Sequence, residues 1–129
     1  MNTKLILASS AILLAILGIV LNFFPGEIAL LFSMQGILPV PWLLPLMGAL
    51  YFAFAMVNWM AKGAAIGGIY NKPVAIGNFT HFTIGALSLV KSVAAETQVH
   101  IVVWILAALY CLFAILFGFI FFGNGLPPK

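Results

Sequence analysis

A chain of 129 residues with only seven charged side chains, five lysines and two glutamates, cannot dress a soluble domain, and 65% of it is hydrophobic. Its mean hydropathy of +1.26 excludes a free-standing water-soluble fold and makes lipid the solvent. The net charge of +3 is spread thinly over Lys4, Lys62, Lys72, Lys91 and Lys129 against Glu27 and Glu96, which excludes a nucleic-acid footprint, and the single Cys111 excludes an internal disulfide.

The first apolar run, residues 5–24, has the length of a bilayer core and is broken by Pro25-Gly26. A positive start at Lys4 also suits a signal peptide, but the run is longer than a usual signal core and no small-x-small cleavage pattern follows it, so a retained span is expected. Residues 27–41 form the longest connection. Its apolar stretch Ile28 to Phe32 suits a short interfacial or re-entrant segment, while Gln35-Gly36 and the prolines at 39, 41 and 45 turn the chain back.

The second span is expected over 42–66 and the third over 73–95, with Gly67-Gly68 and Asn71-Lys72-Pro73 between them; Pro73 suits the first turn of a helix. Asn78 is an alternative cap for a shorter third helix beginning at Phe79. Residues 96–100 make a polar turn, and the fourth span covers 101–122 before Gly123-Asn124-Gly125 and Pro127-Pro128 stop it. The fold expected is all-α: an integral membrane four-helix bundle forming a single transmembrane domain over residues 1–129. An even number of spans puts Lys4, Lys62, Lys72 and Lys129 on one side and Lys91 with both glutamates on the other, so the positive-inside rule places both termini in the cytoplasm. A bacterial inner (plasma) membrane is the expected location.

Helices in lipid gain little from hydrophobicity, so small side chains at three-four spacing mark the expected contact faces. These are Ala8, Ala11, Ala15, Gly18 and Asn22; then Gly48, Tyr51, Ala55, Asn58 and Lys62; then Asn78, His81, Gly85, Ser88 and Ser92; and last Trp104, Ala107, Cys111, Ala114 and Gly118. The phenylalanines, among them Phe113, Phe117, Phe119, Phe121 and Phe122, are expected outward toward acyl chains or a second subunit. Trp42, Trp59 and Trp104 near span ends read as interfacial anchors.

Polar groups inside spans need partners that lipid cannot supply, which makes them the candidate site. Asn58 and Lys62 share a helix face at i,i+4, and Asn78 and His81 share one at i,i+3. Sequential antiparallel spans would bring the pairs together, with Thr80 adding a hydrogen bond and Tyr70 closing from the loop. The chain has no aspartate and both glutamates are expected on the far side, so a hydrolytic triad is not formed. One histidine makes a poor metal site, and neither metal nor cofactor is expected. A lysine and a histidine without a carboxylate suit an anion, a lipid phosphate or the carboxylate of a small substrate. The structural alternative is that Lys62 snorkels to the headgroups while Asn78 and His81 bond to each other and to backbone carbonyls. Glu27, Lys91, Glu96 and His100 form a second, outer-side polar set, and Glu27 with Lys91 could tie the first loop to the third span. Tyr51 and Tyr110 lie near mid-depth and need partners, Ser88 or a backbone carbonyl.

Three functions fit these residues, and the sequence does not decide whether the protein is an enzyme. The first is a small binding or accessory protein that holds a lipid, a small anionic ligand or a partner helix. The second is a small membrane enzyme acting on a lipid-soluble or anionic substrate at the cytoplasmic interface. The third is a subunit of an oligomeric transporter or channel, since four spans without an internal repeat are few for transport by one chain. The partners expected are membrane lipids, with a second copy or another membrane protein, and not nucleic acid.

Overall fold

The computed structural model describes residues 2–32, 42–63, 71–96 and 98–123, and among these the protein is all-α. In chain order the helices are α1 (Thr3–Phe23), α2 (Pro25–Leu31), α3 (Leu43–Ala61), α4 (Lys72–Ala95) and α5 (Ile101–Gly123). All but α2 are long and apolar enough to cross a membrane. The 21 residues of α1 rise about 30 Å, the thickness of a hydrocarbon core. The protein is thus a small all-α integral membrane protein.

Local chemistry sets the helix ends. Asn2 caps α1, its Oδ1 accepting the Leu5 N–H at 3.4 Å. Pro25 does not end the helical path but restarts it, occupying the first turn of α2, where a missing N–H costs nothing. This seven-residue helix has no buried side chain and occupies the start of the connection that was expected to be irregular. Pro45 stands in the first turn of α3 and is tolerated for the same reason as Pro25. The last turn of α3 closes with the Lys62 N–H on the Asn58 carbonyl at 3.1 Å. Pro73 lies in the first turn of α4, so Asn78 is inside the helix and does not start it. Gln35, Gly36, Pro39, Pro41, residues 64–70 and Lys129 lie outside the described residues.

The chain divides into two compact units, Leu7–Lys62 and Met1–Ile6 with Gly63–Lys129. In the first, α1 and α3 run antiparallel: Ser10 meets Asn58, Gly18 meets Gly48, and Asn22 Nδ2 donates to the Pro45 carbonyl at 3.2 Å. The backbones touch at the middle of this crossing. A Cβ on Gly18 would stand 2.7 Å from the Phe52 amide nitrogen and 2.8 Å from the Gly48 carbonyl oxygen, and one on Gly48 2.7 Å from the Gly18 carbonyl oxygen. Only glycine admits such an approach. The buried faces are Leu7, Ser10, Ala11, Leu14 and Gly18 on α1 and Gly48, Ala55 and Asn58 on α3. The expected stripe is therefore seen on α3 at Gly48, Ala55 and Asn58, with Tyr51 and Lys62 half-buried, while on α1 it is rotated, with Ala8 and Ala15 half-buried at its edge.

In the second unit α4 packs on α5, also antiparallel, since Phe79 meets Phe121, Phe82 meets Phe117, and Gly85 meets Tyr110. Here the contact is made of rings. Phe82 is fully buried and stacks on Phe113 (centroids 4.9 Å apart) and Phe117 (5.6 Å), and Phe79 stacks on Phe121 and meets Phe122 edge-on. The expectation that the phenylalanines all face outward is corrected: Phe113 and Phe117 are buried, whereas Phe119 and Phe122 are exposed. The physical reason is that lipid rewards a ring no more than a protein neighbour does, so shape and ring-to-ring attraction choose its side. The α5 contact face is accordingly Ala107, Tyr110, Phe113, Phe117 and Ile120, with Cys111, Ala114 and Gly118 at its margin. Trp42, Trp59 and Trp104 are all exposed and lie within a turn of a helix end.

Candidate functional site

The candidate residues fall in separate units: Asn58 and Lys62 in the first, Asn78, Thr80 and His81 in the second. Tyr70 lies outside the described residues.

In the first unit α3 carries Asn58 onto the face that meets α1, where it is fully buried. Its Nδ2 donates to Ser10 Oγ at 3.1 Å, and Ser10 Oγ donates in turn to the Leu7 carbonyl at 3.0 Å. The amide donates to the hydroxyl and the hydroxyl to the carbonyl, which satisfies groups that acyl chains would leave bare. Ser10 was not among the expected site residues. The signal was present in Ser9-Ser10, a polar pair interrupting an apolar run, but either serine could have been the inward one. Lys62 follows at the C-terminal cap of α3, and its ammonium lies over the Trp59 ring, 2.6 Å from the ring centroid. A cation on a tryptophan face is held by the ring quadrupole, and a cation at a helix C-terminus also meets the negative end of the helix dipole.

In the second unit Asn78 is fully buried on α4, and its Nδ2 donates to the Val74 carbonyl one turn back, at 2.9 Å. His81, half-buried, shares a hydrogen bond of 3.3 Å between Nε2 and the Tyr110 hydroxyl, the donor being set by the imidazole tautomer. Its ring also meets Phe82 edge-on at 5.1 Å. Tyr110 reaches this position because Gly85 leaves room: a Cβ there would stand 2.5 Å from Tyr110 Cδ1 and Cε1. The mid-depth tyrosine thus finds a histidine where a serine or a carbonyl was expected. Thr80 is exposed, and Thr83, outside the expected set, has a buried Oγ1 with no hydrogen-bond partner among the described residues.

Three of the four expected outer-side residues, Glu27, Glu96 and His100, occupy helix ends. Glu27 is exposed in the first turn of α2, and Lys91 is exposed on α4. Glu96 caps α4 at its C-terminus through its own N–H, which donates to the Ser92 carbonyl at 3.2 Å. His100 starts α5: its Nδ1 accepts the Val102 N–H at 3.3 Å and its carbonyl accepts the Val103 N–H at 2.9 Å. That is a capping role, which satisfies amides that have no acceptor within the helix. Among the described residues no three His, Cys, Asp or Glu side chains gather to hold a metal ion.

What these groups do chemically is modest and local. Asn58 with Ser10 and His81 with Tyr110 fasten helix to helix in lipid, Asn78 bonds within α4, and Lys62 stands against an indole at the end of a span. Neither protein-family models nor curated proteins nor solved structures match this chain, and its functional reading is carried by these side chains alone.

Proposed function

We propose that this chain is a small membrane binding or accessory protein, a single transmembrane domain over residues 1–129 with both termini in the cytoplasm, that holds a lipid, a small anionic ligand or a partner helix. One observation supports this above others: polar side chains of the spans make bonds within their own helix or helix pair, Asn58 to Ser10 and His81 to Tyr110 across a pair and Asn78 to Val74 within α4. Such bonds build a stiff scaffold. With no aspartate in the chain and only two glutamates, the carboxylates that general acid-base work draws on are scarce. The lysine bias toward one side supports the orientation, in a bacterial inner membrane.

Purification in native nanodiscs followed by native mass spectrometry tests the reading. A retained lipid, small anion or second polypeptide is the expected result, and a protein that emerges bare overturns it. Labelling of single cysteines introduced at positions 4 and 72 tests the threading, which fails if the two react from opposite sides.

A second reading, a small membrane enzyme, is favoured by the imidazole-phenol pair of His81 and Tyr110 within a span, since ionisable groups at that depth mark functional sites by default. Turnover of a lipid-soluble substrate that is pH-dependent and lost in His81→Ala would select it. Binding that survives His81→Ala without turnover selects the first.

A further inference from the structure

We infer that the Trp59–Lys62 end of α3 is a seat for one anionic phospholipid, its phosphodiester on the Lys62 ammonium and an acyl chain along the exposed face of the helix; this rests on the binding reading above. Two observations converge. The Lys62 ammonium is placed over the Trp59 ring at the last turn of the span, so the charge stands at a defined point. Phe52, Met56, Trp59 and Met60 are exposed at three-four spacing on the same helix, a continuous apolar strip that leads to that charge.

Length selects a lipid over free phosphate. The strip from Phe52 to Lys62 rises about 15 Å, half of a hydrocarbon core of about 30 Å, and so matches the acyl chain of one leaflet. Two methionines on it are flexible and polarizable, suited to a chain that is not itself rigid. An ammonium prefers a phosphodiester that carries no cation of its own, so phosphatidylglycerol fits and phosphatidylcholine does not.

The test uses the full chain in nanodiscs of phosphatidylcholine and phosphatidylglycerol in equal parts, with tightly retained lipid identified by native mass spectrometry. The native protein is expected to enrich phosphatidylglycerol about fivefold, the effect of a single lysine near the membrane surface. Lys62→Gln should abolish the enrichment, while Lys62→Arg and Lys72→Gln keep it. Circular dichroism and gel filtration confirm that each variant is folded, and the arginine variant reports the site even if glutamine disturbs the helix end. Equal loss in Lys62→Gln and Lys72→Gln would reduce the effect to general surface charge and overturn the seat. Displacement of the lipid by excess inorganic phosphate would overturn the lipid assignment in favour of a free anion. Lipid retained without preference and unchanged in Lys62→Gln would remove this inference and leave the binding reading standing, whereas retention of no lipid, anion or partner at all removes both.

Discussion

The two helix pairs of this protein are joined by opposite means. Where α1 crosses α3 the backbones meet at Gly18 and Gly48, and a side-chain hydrogen bond between Ser10 and Asn58 closes one end of the crossing. Where α4 lies on α5 the gap is filled by stacked rings, and the hydrogen bond is carried by an aromatic and an imidazole, Tyr110 and His81. Lipid removes most of the hydrophobic drive from both, leaving contact area and polar satisfaction to do the joining. One pair gains contact through backbone meeting backbone at two glycines; the other gains it through stacked rings. Glycine serves both designs, admitting backbone in the first and, at Gly85, a tyrosine ring in the second.

The difference can be broken most forcefully at Phe82. Truncation to alanine removes the ring that both Phe113 and Phe117 stack on, and Phe82→Ala should destabilise the α4–α5 pair by about 3 kcal/mol, the lower end for buried phenylalanine because the separated helices keep their lipid contacts. Unfolding in bicelles by steric trapping measures this, and a loss below about 1 kcal/mol would mean that the stack is not what holds the pair.

A pair of glycine substitutions sharpens the contrast. Gly48→Ala drives a methyl into the backbone of α1, which cannot yield without separating the helices, and should cost about 2 kcal/mol. Gly85→Ala meets the Tyr110 side chain and not a backbone, and should cost about 1 kcal/mol. The same unfolding assay ranks them, and the reverse order would refute the description of the two crossings.

Smaller effects separate the two hydrogen bonds. Asn58→Leu should cost about 1 kcal/mol, and a double-mutant cycle with Ser10→Ala should recover most of it as coupling, because bonds of this kind within membranes average about 0.6 and reach about 1.7 kcal/mol. Tyr110→Phe keeps the ring against Gly85 and loses only the hydroxyl on His81, so about 0.6 kcal/mol is expected, the smallest of the series. If Tyr110→Phe proves costlier than Asn58→Leu, the histidine pair is a stronger fastening than its 3.3 Å length implies.

Much of this was readable from the residues and some was not, for reasons that differ by helix. The stripe Gly48, Ala55 and Asn58 could be read because small and polar side chains on an apolar span have little to do except face a neighbour. The corresponding stripe on α5 could not, because Phe113 and Phe117 are as comfortable in lipid as against Phe82, and hydropathy does not distinguish the two surroundings. Asn58 and His81 were recognisable as groups in need of partners, but Ser10 and Tyr110 were not recognisable as the partners supplied, since each lies dozens of residues away along the chain. His100 was legible as polar and near an end; that it starts α5 with its own ring nitrogen depends on a local rotamer.

Hydropathy and length by themselves determined that this protein lives in lipid and that four of its helices can cross it, because the cost of burying a backbone outside a helix and the thickness of a bilayer leave few other solutions. Which side of each helix meets its neighbour was decided only in three dimensions. In a solvent as apolar as the side chains themselves, the choice falls to shape, to backbone approach at Gly18 and Gly48, and to whichever distant group can complete a hydrogen bond, and none of these is a property of one segment read alone.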